Sequence, residues 1–203
     1  MITMNDNQRD ALLEIFNVGV GHAAASLSLI VKDEVSMSVP KVSVLLDQER
    51  TEDSAIFGKE RICAVSQHFT GPFDAEAMLI FPEDKTMLIV QKMLGEGVAA
   101  EDLSEMEQDA LSEIGNIILN TCISTISDMF QKRFSSSTPT YRVCFADQIV
   151  NAPSSSESVV LLLHIEFFLK QDQIHGYLVL LLNVHSYARL LASIDALLAR
   201  YGT

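Results

Sequence analysis

Apolar residues recur at steps of three and four along two stretches of the chain, residues 12–30 and residues 106–130. Such spacing is typical of an amphipathic helix that buries one face. The sequence therefore predicts two long helices, and residues 102–104 offer the side chains of an N-cap for the second. Two shorter stretches of the same kind predict further helices over residues 84–94 and 185–201.

Strands are predicted between these helices, because apolar and polar residues alternate there over short distances. Residues 39–45 and 139–145 each have a proline near their beginning, where a strand tolerates it. Each half then shows two strands joined by a short polar connection, and loops this brief join only antiparallel neighbours. The predicted hairpins are residues 61–69 with 73–81 and residues 159–169 with 173–182. Surface loops are predicted over residues 135–138 and 151–158.

The beginning of the first long helix is repeated at the beginning of the second. Residues 10–17, DALLEIFN, lie over residues 109–116, DALSEIGN, at an offset of 99 with six of the eight positions identical. Both halves also follow the same order of helix, strand, hairpin and helix. We therefore predict a single α+β domain over residues 1–203, duplicated about a pseudo-two-fold, with an antiparallel sheet and two equivalent long helices. Its two repeats span about residues 1–97 and 102–203, with the joint near residues 95–97.

Composition and charge exclude several classes of protein. Hydrophobic residues make up 48% and charged residues 20%, which is a globular composition. The 14 basic against 27 acidic residues give a net charge of -13, and so acidic a surface repels phosphate backbones and anionic lipid. The N-terminus lacks a secretion signal, and no apolar run reaches the ~20 residues of a membrane span. We expect a cytoplasmic protein with no nucleic-acid partner and no membrane insertion.

The cysteines predict neither a metal site nor a disulfide. The three cysteines are far apart in sequence and form no C-x-x-C pair, so we expect free, partly buried thiols. The cysteines are Cys63, Cys122 and Cys144.

The repeated motif carries the candidate chemistry. Residues three and four apart share one face of a helix, so each copy of Asp-x-x-x-Glu-x-x-Asn sets three polar side chains in a row. The apolar stripes point elsewhere, and we therefore expect both rows to be exposed. One such row is most simply a solvated face, but two at matching places favour a function. An asparagine inside a helix is also a weak helix former. The rows are Asp10, Glu14 and Asn17, and Asp109, Glu113 and Asn116.

These residues carry a family resemblance. Residues 14–28, which continue from Glu14 and Asn17 into Gly-x-Gly-His-Ala-Ala, together with residues 109–117, resemble the two signatures of the CheC-type chemotaxis phosphatases, a group that includes CheX and FliY. The resemblance is closest to CheC with two centres. It implies hydrolysis of the aspartyl-phosphate on a CheY-like response regulator, with each Glu/Asn pair forming one active centre.

The resemblance also implies a role for each residue of the two rows. Asn17 and Asn116 would orient the attacking water, as a glutamine does in GTPases. The carboxylates of Glu14 and Glu113 would anchor a lysine of the receiver domain, and the two aspartates, Asp10 and Asp109, would help to bind the substrate protein. The chain itself is expected to bind no cofactor or metal, because the phosphorylated receiver supplies the Mg2+.

Two departures from the family pattern leave alternatives open. Phe16 stands where the family usually has the glycine seen at Gly115, and a ring there is expected to obstruct the first centre. Residues 118–122 replace the Gly-x-Gly-His-Ala segment, in which we expect Gly19 and Gly21 to serve close packing. The rival hypotheses are a non-catalytic adaptor that binds a receiver or a CheD-like deamidase, and a component of the flagellar motor switch.

Overall fold

The chain folds as four helices on one antiparallel sheet of seven strands, counted over the described residues. The computed structural model describes residues 3–32, 34–46, 61–94, 100–145, 148, 158–169 and 172–201. The helices are α1 (Asp6–Val31), α2 (Glu83–Leu94), α3 (Ala100–Phe130) and α4 (Val184–Tyr201). The strands are β1 (Val35–Leu46), β2 (Arg61–Thr70), β3 (Ala75–Pro82), β4 (Ser135–Ser136), β5 (Thr140–Phe145), β6 (Ser158–Leu169) and β7 (Asp172–Asn183).

Both predicted hairpins are confirmed and lie side by side at the centre of the sheet. The strand order is β1-β6-β7-β3-β2-β4, and β5 pairs with β2 beside β4. All of these pairings are antiparallel. The first strand of each half therefore adds to the hairpin of the other half. This exchange makes one continuous sheet out of both halves, which neither half would complete alone.

A local two-fold relates the two hairpins. Leu79 of β3 pairs directly with Leu178 of β7, and these residues are 99 positions apart, which is the offset of the repeated motif. The axis therefore passes between the two central strands at this pair. The predicted α+β class, with a pseudo-two-fold, an antiparallel sheet and two equivalent long helices, is confirmed.

The long helices pack against each other as well as on the sheet. Their fully buried residues include Val20 and Leu27 of α1 and Ile114 and Ile118 of α3. A Cβ on Gly19 would lie 3.0 Å from the Cα of Cys122, so the glycine allows the helix backbones to approach closely. Each large side chain buried here contributes about 1.5–3 kcal/mol by transfer from water.

Helix α1 is long and apolar enough to cross a membrane by length and composition. In this fold its apolar residues have another explanation, because they pack against α3 and β1 within the main core. Cys63 and Cys122 are buried and Cys144 is half-buried, and none of these three described cysteines is in a disulfide bond.

Three predicted boundaries are wrong. Helix α3 begins at Ala100, so residues 102–104 lie within its first turns and do not form the cap; acidic residues at this end favour an extended start because they complement the helix dipole. Residues 135–136 form strand β4 and not a loop, because they pair with the end of β2. Strand β1 begins at Val35, which places Pro40 inside the strand, at an irregularity between Ser38 and Lys41.

The remaining loop predictions fall mainly outside the described residues. The joint near residues 95–97 and residues 151–157 belong to that part of the chain.

Candidate functional site

The two polar rows lie on α1 and α3, at matching places in the two helices. The four carboxylates are exposed and both asparagines are half-buried. Exposure was expected of both rows, and the asparagines depart from it because each amide contacts a neighbouring strand. The exposed carboxylates are Asp10, Glu14, Asp109 and Glu113.

The amide of Asn116 is held by two other amides. Its Oδ1 accepts from Nε2 of Gln67 at 3.3 Å and from Nδ2 of Asn120 at 2.6 Å. Asn120 also donates to the main-chain oxygen of Asn116 at 2.8 Å and to Oε1 of Gln67 at 3.3 Å. Gln67 in turn donates to the carbonyl of Ser137 at 3.0 Å. A closed triangle of amides thus fixes the orientation of the Asn116 side chain.

This arrangement leaves the NH2 group of Asn116 available. An asparagine amide has two donor hydrogens on Nδ2 and one acceptor oxygen. The oxygen is occupied, whereas no residue in the described part of the chain accepts a hydrogen bond from Nδ2. The row on α3 therefore holds its amide in one orientation and leaves the N–H donors for an acceptor outside the described residues.

Asn17 makes a different set of contacts, because its amide binds the main chain of β1. Oδ1 accepts from the N–H of Val39 at 2.8 Å, and Nδ2 donates to the carbonyl of Val39 at 3.3 Å. Val39 lies in the irregularity between Ser38 and Lys41, where the ladder between β1 and β6 shifts register. The amide thus satisfies the main-chain groups of a strand residue that the shifted ladder does not pair.

Two exchanges between the repeats account for this asymmetry. At an offset of 99, Asn120 of α3 corresponds to Gly21 of α1, and Gln67 of β2 corresponds to Glu166 of β6. Gly21 has no side chain, so it supplies no amide one turn beyond Asn17. The space around it is also open, with nothing within 4 Å of where a Cβ would lie. The expectation that Gly21 serves close packing is therefore wrong, whereas it holds for Gly19.

Both glutamates project from the helices without a bound partner. In the described ranges neither Glu14 nor Glu113 makes a hydrogen bond or an ion pair within 4.0 Å. An exposed carboxylate without a cation nearby is free to accept from a donor on another protein. Within the described part of the chain, no group of three or more histidine, cysteine, aspartate or glutamate side chains is arranged to hold a metal.

Phe16 does not stand beside the Asn17 amide on the surface. Its side chain is 1% exposed and belongs to the main hydrophobic core. The expectation that its ring obstructs the first centre is therefore wrong. At the matching place on α3, a Cβ on Gly115 would lie only 2.5 Å from Cγ1 and 2.6 Å from Cβ of Val65 on β2. The glycine lets α3 contact the strand that carries Gln67.

Sequence reasoning missed Gln67 and Asn120 as members of the site. Asn120 follows Asn116 by four residues, and this i, i+4 spacing was a signal for a side-chain pair on one helix face. Gln67 had no comparable signal, since it lies 49 residues away in sequence and reaches the site only through the packing of β2 under α3.

A comparison with models of protein families shows the family to which the chain belongs. The model described as "Chemotaxis phosphatase CheX" matches residues 63–164, half of the chain. The chain belongs to this family. The predicted resemblance to the group of CheC, CheX and FliY is thus confirmed. The matched stretch contains Gln67, Glu113, Asn116 and Asn120, and it does not include the motif on α1.

Two relatives from Bacillus subtilis (strain 168) carry related names. The flagellar motor switch phosphatase FliY is 27% identical over 138 residues, which cover 67% of this chain and 35% of FliY. The CheY-P phosphatase CheC is 24% identical over 141 residues, which cover 67% of this chain and 66% of CheC. The chain thus spans about a third of the first relative and just under two thirds of the second.

Solved structures share the fold at lower identity. The crystal structure of Thermotoga maritima FliY superimposes with a TM-score of 0.78 at 19% identity, covering 96% of this chain and 99% of that one. The CheX of a CheX-CheY-BeF3-Mg+2 complex from Borrelia burgdorferi matches with a TM-score of 0.54 at 17% identity, covering 84% and 97%. At these identities the likenesses show the fold alone.

Proposed function

We propose that this protein hydrolyses the aspartyl-phosphate of a CheY-like response regulator, and that the centre on α3 carries the reaction. The observation that supports this most directly is the oriented amide of Asn116, whose oxygen is held by Gln67 and Asn120 while its N–H groups stay available. Neither Glu113 nor Asn116 needs to act as a nucleophile. Water attacks phosphorus, the bond between phosphorus and the aspartyl oxygen breaks, and inorganic phosphate and a free carboxylate result.

The amide's task follows from the nature of phosphoryl transfer. The transition state is loose and its charge is spread over the equatorial oxygens, so catalysis rests mainly on positioning and electrostatic stabilisation. An acyl phosphate already has a good leaving group, and the receiver brings its Mg2+. What the enzyme has to supply is an oriented water molecule. An amide that is fixed before the receiver binds loses little further entropy on binding, which is the advantage of the contacts to Gln67 and Asn120.

Glu113 lies one turn before Asn116 and would anchor the receiver. Its exposed carboxylate has no partner among the described residues, so a lysine beside the phosphorylated aspartate is a suitable partner. Asp109 lies on the same face a further turn away and would help to bind the receiver surface. The three side chains would then contact the receiver in a single line along α3.

We propose Glu14 and Asn17 as a second centre of lower activity, with Asp10 in the docking role. Asn17 uses its oxygen and one N–H on Val39, so one N–H remains for a phosphoryl oxygen or a water. The geometry therefore allows contact with a receiver, but the amide is tied to the strand and cannot adjust to the phosphoryl group.

The names of the relatives support the choice of partner. CheC is described as a phosphatase of CheY-P, and the Borrelia structure contains CheX together with CheY. A CheY-like receiver is therefore the substrate we propose, in the cytoplasm, where such receivers act. The chain itself would need no cofactor. A CheD-like deamidase would be a further partner of the adaptor function, which is the alternative that the experiment below separates.

The experiment compares two double variants of the full chain on a phosphorylated receiver. Loss of phosphate is followed for the unaltered protein, for Glu113→Ala with Asn116→Ala, and for Glu14→Ala with Asn17→Ala. We expect the first variant to lose most of the activity and the second to keep most of it. Asp128→Ala, at an exposed position three turns further along α3, is the matched control and should remain fully active.

Two outcomes would contradict the proposal. If the Glu113/Asn116 variant removes phosphate as fast as the unaltered protein, the centre on α3 is not the active one. If the unaltered protein binds the phosphorylated receiver without accelerating its dephosphorylation, the protein is an adaptor.

A further inference from the structure

A cavity lies away from both polar rows, where the C-terminal end of α3 meets α4 and the loop between β2 and β3. It is open to solvent and has a volume of about 760 Å³, which is in the size range of sites for small organic ligands. Asn116 lies fourteen residues before Phe130 on α3, a distance of roughly 20 Å along the helix. The cavity is therefore separate from the proposed phosphatase centre. It is lined by Pro72, Phe130, Lys132, Arg133, Arg189, Ala192, Ser193, Ala196 and Arg200.

The cavity concentrates positive charge in an acidic protein. Four of its nine lining residues are basic, although the whole chain has only 14 lysines and arginines against 27 acidic residues. No acidic residue lines it. In the described part of the chain, no carboxylate lies within 4.0 Å of Lys132, Arg133, Arg189 or Arg200. Like charges collected without counter-charges repel one another, so this arrangement favours an anion from outside the chain.

Helix capping explains only part of this cluster. Nη2 of Arg200 donates to the carbonyl of Met129 at 2.6 Å, and Lys132 lies two residues beyond the end of α3, where a cation complements the helix dipole. Arg189 has no such explanation, because it is the sixth residue of α4 and lies at neither end of that helix. Arg200 also keeps further N–H donors beyond the one that binds Met129.

The spacing of residues on α4 gives the cavity its shape. Its other lining residues on this helix lie three, four, seven and eleven residues after Arg189, so they share one face with it. Small residues occupy the middle of that face, at Ala192, Ser193 and Ala196, and an arginine stands at each end. The floor is thus low and partly apolar between Arg189 and Arg200, and Phe130 and Pro72 extend its apolar part.

We propose that this cavity binds a small organic phosphate, with its phosphate groups on the arginines and its apolar part on the alanine floor. Arginine presents planar, paired N–H donors that match phosphate oxygens. The size of this open cavity and its partly apolar floor favour a small molecule with a non-polar moiety over a bare inorganic ion. This inference does not depend on the proposed phosphatase activity, because none of its residues belongs to either polar row.

Calorimetric titration of the full-length protein tests this with three probes: ATP, inorganic triphosphate and adenosine. We expect ATP to bind with one site per chain, triphosphate to bind more weakly, and adenosine not to bind. Arg189→Gln with Arg200→Gln should weaken ATP binding tenfold or more. The matched control is Lys32→Gln with Lys85→Gln, which removes the same charge at exposed positions outside the cavity and should leave ATP binding unchanged. Circular dichroism confirms that both variants are folded.

Three outcomes would overturn the inference. Equal ATP affinity in the cavity variant and the control would place the binding elsewhere. Equal binding of triphosphate and ATP would remove the role of the apolar floor. Binding of a poly-glutamate peptide in the absence of any binding of ATP would identify the cavity as a contact for an acidic protein segment.

Discussion

Gln67 of β2 and Asn116 of α3 meet where the helix contacts the sheet, and the Nε2 of Gln67 donates to the Oδ1 of Asn116 at 3.3 Å. Gln67 is 3% exposed, so it cannot reach a bound receiver. Its other contacts, with the carbonyl of Ser137 and with Asn120, fix its own amide. A buried side chain therefore determines how an exposed one is presented.

The first prediction concerns this buried amide. Gln67→Met removes the donors and the acceptor while nearly preserving the volume of the side chain. We expect kcat of the proposed phosphatase reaction to fall roughly fivefold, because the Asn116 amide loses one of the two hydrogen bonds to its oxygen, worth about 1 kcal/mol. KM for the receiver should change little, since Gln67 does not face the receiver. Steady-state kinetics with a phosphorylated receiver measures both parameters.

The control for Gln67→Met is Gln8→Met. Gln8 is also a buried glutamine with side-chain partners, since it caps α1 through Asn5 and donates to Asp195 at 2.8 Å. It lies outside both polar rows, so its loss should lower stability and leave kcat unchanged. If Gln67→Met raises KM for the receiver and leaves kcat unchanged, Gln67 does not have a positioning role.

The second prediction concerns Asn17, whose amide fastens α1 to β1. Asn17→Ala removes two hydrogen bonds to Val39, so the free energy of unfolding should fall by about 1–2 kcal/mol. Phosphatase activity should fall far less than in Asn116→Ala. Urea denaturation followed by circular dichroism measures the stability. Ser26→Ala is the control, because the hydroxyl of this exposed residue bonds, among the described residues, to the carbonyl of His22 in its own helix alone.

The repeat could be predicted from the sequence because the two long helices have identical residues at matching positions. Periodicity placed both long helices and both hairpins, and the offset of 99 matched the residues that the two-fold brings together at Leu79 and Leu178. The exchange of edge strands had no such signal. Hairpin patterns identify neighbours that are close in sequence, whereas β1 pairs with β6 and β5 with β2 through tertiary packing.

The site was predicted only in its exposed part, for a similar reason. Asp-x-x-x-Glu-x-x-Asn fixes which side chains share a helix face, but it says nothing of what touches the amides from the sheet. Phe16 illustrates the limit. It is adjacent to Asn17 in sequence, yet successive residues point about 100° apart around a helix, and its ring lies in the core with Leu12 and Val20.

The third prediction contrasts two glycines in helices. Gly21→Ala should stabilise the protein by about 1 kcal/mol, because alanine is the better helix former and the new methyl group meets nothing within 4 Å. Gly115→Ala should destabilise it by about 1–3 kcal/mol, because the new Cβ would lie 2.5 Å from Cγ1 of Val65. Thermal unfolding of both variants decides this. Equal shifts of Tm in the two variants would contradict the close contact of α3 with β2.

The last prediction concerns a group of rings on β6 and β7. The ring of His164 stacks on that of His175 at 5.4 Å between centroids and on that of Tyr177 at 5.2 Å. Partial burial, and then the neighbouring His175 and Lys41, lower the pKa of His164 from its usual value of 6.5, while Glu166 opposes the shift. In the unfolded chain His164 regains that value, so below about pH 7 the unfolded state binds more protons than the folded state. Stability should therefore fall as the pH drops through 6.5 and on toward the lower pKa of the folded protein.

His164→Phe keeps an aromatic ring in the stack and removes this proton uptake, so its stability should depend less steeply on pH between 7 and 5 than that of the unaltered protein. His68→Phe, at an exposed position on β2, is the matched control. Urea denaturation at several pH values gives the comparison, and identical pH profiles for the unaltered protein and His164→Phe would contradict the assignment.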